Sequence, residues 1–504
     1  MRFELIPWLS ISGQIWMQIF VTILLVYMLW KYRKDNISLL FILLSWPRVF
    51  VFYGKTIENL YKIAMLLLCI YLFYQLYAYR VYQKRERWLL FTFTLFSIQF
   101  ILSVLLYTQN TVTIVFSQYS RYVEILLLYF IVKQIIYNGN GNQLLSLFYD
   151  IGLMQIVLSI LKMPLVGWQV EGLVGSFSIL GGAMGTTIPI LWFVNLWYYR
   201  KGQLGKWDWL YVLGLLLVGF TTGKRAVMFI LPVVVAAFMI YVPKLRLKSS
   251  TIAMTILLVP LLLYCGVRLT PTLNPEHKIW GSFDWEYAMG YAETYQFGKE
   301  GLQGQTEALS QADAEYIQYS GGYIGSTDRR IEAEGRGGAT MAMLRLLIGE
   351  HETIDQDWWG LGFNNMYSTD YTEFAKLPLT IQINHKGSAT GIFQSYVTIG
   401  LLGAICTILF SFAFLFYCRH KRLKYVLLAI CAWEYFMYTG FIFRTPIFMA
   451  VLFLVIHSVN YDIALRKARR GQAKLDKQLD SSENVLEVLG KTKEYEIKHH
   501  YTSI

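Results

Sequence analysis

The chain has 504 residues, of which 55% are hydrophobic and 15% are charged, and its formal net charge is +12. Soluble domains carry about 25% charged residues, so this composition indicates a protein that lies largely within a lipid bilayer. The excess positive charge falls among hydrophobic runs, where it reports on membrane topology. We therefore exclude a nucleic-acid-binding function.

Hydrophobic runs of membrane-spanning length recur along the chain. A helix needs about 20 apolar residues to cross a hydrocarbon core of about 30 Å. We predict thirteen such helices, near residues 13–30, 37–53, 63–79, 88–107, 122–137, 144–161, 181–199, 209–222, 226–242, 251–267, 391–417, 425–443 and 445–460. Pro47 interrupts the run 37–53, and the run 209–222 is too short to cross the core as one straight helix.

Short basic connections alternate with these helices. Five loops hold seventeen cations: Lys31, Arg33 and Lys34; Arg80, Lys84, Arg85 and Arg87; Arg200, Lys201 and Lys206; Lys244, Arg246 and Lys248; and Arg419, Lys421, Arg422 and Lys424. Cytoplasmic loops carry such an excess of Lys and Arg. The pattern predicts that the amino terminus and the loop 268–390 lie outside and that the tail lies in the cytoplasm.

The domain organisation follows from these runs. We expect ten membrane helices in 1–267, a long outer loop in 268–390, three more helices in 391–460 and a mixed-charge cytoplasmic tail in 461–504. The outer loop holds 17 of the 33 acidic residues, and its segment 339–348 has the spacing of an amphipathic helix. No Cys or His pattern suggests a disulfide framework, a metal site or a cofactor.

Several cations fall at or below the predicted outer surface, where the charge rule should deplete them. They are Arg48, Arg121, Lys162, Lys224, Arg225 and Arg444. A charged side chain in a bilayer costs roughly 2.5 to 3.5 kcal/mol on insertion scales, so each is a candidate functional residue. The alternative is that they anchor the helices at the interface, and Arg121 has the additional alternative of pairing with Glu124.

A group of short motifs lies in the second half of the chain. The turn Thr221-Thr222-Gly223-Lys224-Arg225-Ala226 joins two central helices, and an Arg-led segment of the long loop runs into Gly360-Leu361-Gly362-Phe363. A histidine, His385, then precedes a helix that contains Ile399-Gly400-Leu401-Leu402-Gly403. Together these motifs resemble the superfamily of O-antigen polymerases and O-antigen ligases, and the resemblance covers about residues 150 to 460.

This resemblance implies an all-α polytopic membrane protein with about 13 transmembrane helices, similar to the C-type glycosyltransferases. It implies that Arg225 and Arg336 bind the diphosphate of a polyprenyl-linked glycan without a metal, with Arg345 as an alternative loop arginine. His385 is then the first candidate for the general base, followed by Glu350 or Glu352. Lys224, Arg48, Arg121, Arg345 and Arg444 are candidate substrate-binding residues.

The expected substrate partners are polyprenyl-diphosphate-linked oligosaccharides in the cytoplasmic membrane, with membrane lipid around the chain. A chain-length regulator and a flippase are further expected partners. Transfer of the glycan to a lipid A core, as in a ligase, stays open. A polyprenyl-linked oligosaccharide flippase or other transporter is the alternative of a different class, although we find no pair of related halves of the kind that transporters show.

The topology can be tested by cysteine labelling. Single cysteines at Ser310 and Ser249, in a variant without the five native cysteines, lie in the predicted outer loop and beside a predicted cytoplasmic loop. An impermeant maleimide should label the first in intact cells or spheroplasts and the second only after lysis. The reverse labelling would place the long loop in the cytoplasm and contradict the predicted function.

Overall fold

The computed structural model describes residues 9–77, 86–107, 118–167, 172–180, 184–222, 224, 226–241, 249–268, 390–438, 440–467 and 469–470, with short stretches between 286 and 383. Within these residues the regular structure is almost entirely α-helical. The first helices are α1 Leu9–Lys31, α2 Asn36–Ser45, α3 Pro47–Phe52, α4 Lys55–Tyr77, α5 Arg87–Tyr107, α6 Ser120–Tyr137 and α7 Gly141–Val166. They are followed by α8 Met184–Tyr199, α9 Lys206–Thr221, α10 Ala226–Tyr241, α11 Ser249–Arg268, α12 Gly391–Phe416, α13 Lys421–Ala432 and α14 Pro446–Lys467.

Several helices are long and apolar enough to cross a membrane. Among the described residues there are six: Gly13–Lys31, Thr56–Leu76, Arg87–Leu106, Gly141–Val166, Thr398–Phe416 and Pro446–Lys467. The protein is therefore a helical membrane protein, as its composition predicts. The shorter helices lie beside these six, and the full set of thirteen spans stays a prediction.

Two predicted helices are broken in the structure. The run 37–53 divides into α2 and α3 at Pro47, which has no N–H to donate and occupies the first position of α3. The prediction of one helix over 425–443 is wrong, because α13 ends at Ala432. A π-helical turn, Trp433–Met437, and a 3-10 turn, Phe441–Arg444, follow it. Gly440, between the two turns, has a φ of 68° and reverses the chain direction.

Two short strand pairs depart from the all-α prediction. Strands β1, Gly172–Val174, and β2, Ser178–Leu180, form an antiparallel hairpin between α7 and α8. Strands β3, Arg329–Ala333, and β4, Leu379–Ile383, pair in parallel and join two distant parts of the long loop. Of the predicted amphipathic helix 339–348, Thr340, Met341 and Leu344 are helical, and the others lie outside the described residues.

The basic loops that are described share one end of the bundle, here called the basic end. Four hydrogen bonds join them or their neighbours: Gln143 Nε2 to Asp35 Oδ2 at 3.0 Å, Leu89 N to Tyr417 Oη at 3.2 Å, Arg419 N to Asn460 Oδ1 at 2.8 Å, and Lys133 Nζ to Glu86 Oε1. The Arg422 guanidinium also lies over the Tyr241 ring. This grouping agrees with the alternation of basic and non-basic connections in the sequence.

The long loop contacts the helices at the other end of the bundle, here called the opposite end. Gly400 has φ 72° and ψ −176°, which interrupts α12. The backbone of Trp358 and Gly360 lies against this interruption so closely that a Cβ on Gly400 would be 2.2 Å from the Trp358 carbonyl oxygen. Gln99 of α5 donates its Nε2 to the carbonyl of Ile399 at 3.3 Å, which satisfies a group left unpaired by the break.

This contact predicts that one methyl group added at Gly400 has a large effect on the stability of the protein. Gly400→Ala should destabilise the protein by more than the ~1 to 3 kcal/mol of an unfavourable backbone conformation, because the added carbon also meets the Trp358 backbone. Gly54→Ala is the matched control, since Gly54 also has a positive φ of 105° but an added Cβ there meets nothing within 4 Å. Thermal unfolding in detergent should rank Gly400→Ala well below Gly54→Ala. Equal melting temperatures for the two variants would mean that the contact between the loop and α12 does not restrain either segment.

Candidate functional site

The predicted cations that the structure describes lie at the opposite end of the bundle. Lys162 is near the last turn of α7, and Arg444 immediately precedes α14. Arg48 is in α3, and Arg121 is in the first turn of α6. Each lies in the part of its helix or turn that is at the opposite end of the bundle. The structure therefore gathers these cations at one end but, as the following contacts show, it divides them into separate environments.

Arg121 is neutralised by a carboxylate. Its Nη1 lies 2.9 Å from Oε2 of Glu124, which is fully buried between α4 and α6. The alternative that this arginine simply pairs with the acid one turn later is thus confirmed. An arginine in a buried ion pair has much of its charge compensated, so Arg121 is a poor candidate for binding an anionic substrate.

Lys162 lies beside the predicted functional turn. This lysine is 1% exposed, and its Nζ donates to the carbonyl oxygen of Thr221 at 3.0 Å. Thr221 is the last residue of α9, where helix carbonyls have no partner within the helix. The next residue, Thr222, is packed so closely on α8 that a Cβ on Gly185 would be 2.1 Å from its Oγ1. The buried amino group of Lys162 is thereby bonded to the residue at which the turn begins.

The turn itself is partly described. The Lys224 N–H donates to the carbonyl of Gly219 at 3.3 Å, and the Lys224 carbonyl accepts from the N–H of Val227 at 3.4 Å, so this residue closes the connection between α9 and α10. Its side chain is half-buried. α9 has 16 residues, which at 1.5 Å each gives a length of about 24 Å, less than the ~30 Å of a hydrocarbon core. The short length of α9 is thus observed, and the recessed position of the turn in the membrane stays a prediction.

A buried carboxylate faces the first turn of α8. Glu434, in the π-helical turn, is 0% exposed, and its Oε1 accepts a hydrogen bond from Thr187 Oγ1 at 3.2 Å. The neighbouring Thr186 Oγ1 donates to Tyr438 Oη at 3.3 Å. π-helical turns are rare and are often found at functional sites. Here the turn places an acid between α8 and α12.

Arg444 completes this group from the other side. Its Nη1 donates to Oε1 of Gln394, in the first turn of α12. On the same helix the Ser395 hydroxyl accepts a hydrogen bond from Tyr435 Oη at 2.9 Å. No described acid is bonded to Arg444, so its partner here is neutral. We use the name polar seam for the set of residues that these contacts define: Lys162, Thr186, Thr187, Thr221, Thr222, Gln394, Glu434, Tyr438 and Arg444.

Arg48 belongs to a different environment. It is 2% exposed, and it donates from Nε to Gln18 Oε1 at 3.2 Å and from Nη1 to the Gly175 carbonyl at 3.4 Å. The hairpin turn that supplies Gly175 is held by Gln155, whose Nε2 donates to Ser176 Oγ at 2.7 Å. These bonds fix Arg48 between α1, α7 and the hairpin.

The remaining predicted residues lie outside the described part of the chain. These are Arg225, Arg336, Arg345, Glu350, Glu352 and His385. Their assignments as diphosphate ligands or base stay predictions. Around them the structure does fix Ala226, the first residue of α10, and Thr390, which caps α12 by accepting from the Phe393 N–H at 3.3 Å. No group of acids, histidines and cysteines suited to a metal ion occurs in the part of the chain that is described.

The predictions from the sequence did not include the polar residues Glu434, Gln394 and Thr187. Glu434 is the only acidic residue in the predicted helix 425–443, and an acid in an apolar run is a signal of a functional site. Glu434 could therefore have been predicted from the sequence. Gln394 and Thr187 carry no comparable signal, because single uncharged polar residues are common in membrane helices.

Comparisons of the chain with protein-family models, with curated proteins and with solved structures gave no match.

Proposed function

We propose that this protein is a membrane glycosyltransferase of the polysaccharide polymerase type. It transfers a growing glycan from polyprenyl diphosphate to a polyprenyl-diphosphate-linked repeat unit at the outer face of the cytoplasmic membrane. The observation that carries the proposal is the polar seam. Its Lys162 bonds the first carbonyl of the turn 221–226, its buried Glu434 bonds the first turn of α8, and its Arg444 bonds the first turn of α12, all at the end of the bundle away from the basic loops.

The proposed reaction explains why cations are needed. A hydroxyl of the acceptor glycan attacks the anomeric carbon of the donor, and the bond from that carbon to the diphosphate oxygen breaks. The leaving diphosphate gains negative charge, which preorganised cations in a water-poor site stabilise strongly. Arg225 and Arg336 are the proposed diphosphate ligands, because a guanidinium group can bind two oxygens at once. Lys224 and the buried amino group of Lys162 lie beside the same turn.

A base must accept the proton of the attacking hydroxyl. His385 and Glu350 are the candidates from the sequence, and Glu434 is added by its position in the polar seam. Its buried carboxylate already accepts a hydrogen bond from one hydroxyl group, that of Thr187. A sugar hydroxyl offers the same kind of donor. General bases contribute roughly 10² to 10⁴ in rate, so the three candidates can be separated by their effects on turnover.

Charge removal at the turn tests the proposal. Arg225→Ala and Lys162→Met should each lower turnover by roughly 10² to 10³, by analogy with the deletion of one electrostatic donor from a preorganised site. Arg225→Lys should recover only part of the loss, since it keeps the charge but not the planar geometry. The measurement is glycan chain growth and release of polyprenyl diphosphate by the purified protein in liposomes.

Matched variants make the result specific. Lys206, the exposed first residue of α9, lies at the other end of the helix that Lys162 contacts, so Lys206→Met should keep normal turnover. In the same assay, the true base among His385→Ala, Glu350→Gln and Glu434→Gln should lose turnover and still bind donor. Normal chain growth by folded Arg225→Ala and Lys162→Met proteins would remove the turn from the mechanism and contradict the proposal.

A further inference from the structure

A second candidate binding site lies on the outside of the bundle, between α1 and α3. The cleft has a volume of about 200 Å³ and opens between the apolar side chains of Ile15, Ile19, Ile23, Phe52 and Tyr53. Each of these side chains is at least 40% exposed, so the cleft lies on the surface of the bundle and not in its core. On a membrane protein such a surface faces lipid chains.

One polar side chain lines this cleft without a partner for its donor group. Gln18 is 3% exposed, and its Oε1 accepts from Arg48 Nε. Because a guanidinium group can only donate, the amide must turn its oxygen toward Arg48 and its NH₂ group away from it. Among the described residues that NH₂ group has no hydrogen-bond acceptor. Hydrocarbon offers none either, so an acceptor on a lipid would relieve the cost of its burial.

The positive charge of Arg48, next to Gln18, determines which kind of hydrogen-bond acceptor the cleft favours. Arg48 is bonded only to neutral oxygens, those of Gln18 and Gly175, and no described carboxylate lies beside it. The potential at the inner wall of the cleft is therefore positive, and an anionic group is favoured over a neutral one.

We propose that this cleft binds one anionic phospholipid of the surrounding bilayer. One of its chains lies along Ile15, Ile19 and Ile23, which are spaced four residues apart on one face of α1. An oxygen of its phosphate-glycerol region accepts a hydrogen bond from the Gln18 amide, and the Arg48 charge behind that amide selects the anionic headgroup. Gln18 is five residues from Gly13, where the membrane-crossing part of α1 begins, so the headgroup lies about 7.5 Å inside that end.

The site is separate from the polar seam and does not depend on the proposed reaction. It also differs from ordinary lipid contact, because a buried donor and a buried charge both act at one point. The lipid would complete the hydrogen bonds of Gln18 and offset the charge of Arg48. It would thereby stabilise the junction of α1, α3 and the hairpin at which Arg48 is held.

The test compares lipid retention by variants of Gln18. Gln18→Glu keeps the size of the side chain and the acceptor for Arg48, but it removes the NH₂ donor and cancels the charge. Thr22→Val is the control, because the Thr22 hydroxyl lines the cleft but donates to the backbone carbonyl of Gln18. Native mass spectrometry of each protein, after exchange in nanodiscs of equal phosphatidylglycerol and phosphatidylcholine, counts the retained lipid and identifies its headgroup.

Wild type and Thr22→Val should retain one phosphatidylglycerol, and Gln18→Glu should retain at least 10-fold less while melting at no lower temperature. Should Gln18→Glu fail to fold, Ile19→Trp fills the cleft from its exposed side without touching Arg48, and it should lose the lipid equally. Unchanged retention in the folded variants would overturn the proposal. Retention of both lipids in their bulk ratio, or of a polyprenyl phosphate from the expression host in place of phospholipid, would also overturn it.

Discussion

The structure depends on one constraint, that backbone groups released by a broken helix need partners where water is absent. Helices α2, α9, α12 and α13 all stop or break before the opposite end of the bundle. A break frees carbonyl groups, and at α2, α9 and α12 polar side chains from other segments bind them. Ser176 donates to the Ser45 carbonyl at 2.6 Å, Lys162 to that of Thr221, and Ser103 to that of Thr398 at 3.0 Å. In hydrocarbon each unsatisfied group would cost several kcal/mol, so these bonds are required by the fold.

The same constraint explains why positive charge is held at the opposite end of the bundle. Arg48 and Arg444 are held by carbonyl or amide oxygens, which fix a cation in place without cancelling its charge. Arg121, in contrast, is held by the Glu124 carboxylate. Positive charge fixed in this way inside a low-dielectric region attracts anions strongly. A diphosphate at the turn 221–226 and a phospholipid beside Gln18 are two anions that such an environment would bind.

Much of the helical framework could be predicted from the sequence, because hydropathy and length decide where a membrane helix can form. The break at Pro47 was also predictable, since proline lacks an N–H. The break at Gly400 was not, because glycine alone does not interrupt a helix and the backbone of Trp358 and Gly360 has to approach it. The π-helical turn after Ala432 likewise has no local signature. Which of the predicted functional cations contacts a carboxylate depends on helix packing, and the Arg121 and Glu124 pair was visible in the sequence because its members are three residues apart.

The central claim is that the chain itself performs glycan transfer at the opposite end of the bundle. The most direct measurement is reconstitution of the purified wild-type protein in liposomes with a polyprenyl-diphosphate-linked repeat unit and no other protein. The account predicts glycans of more than one repeat unit, with one polyprenyl diphosphate released for each new linkage. Movement of the intact lipid-linked repeat across the bilayer without chain growth would contradict it and would identify a transporter.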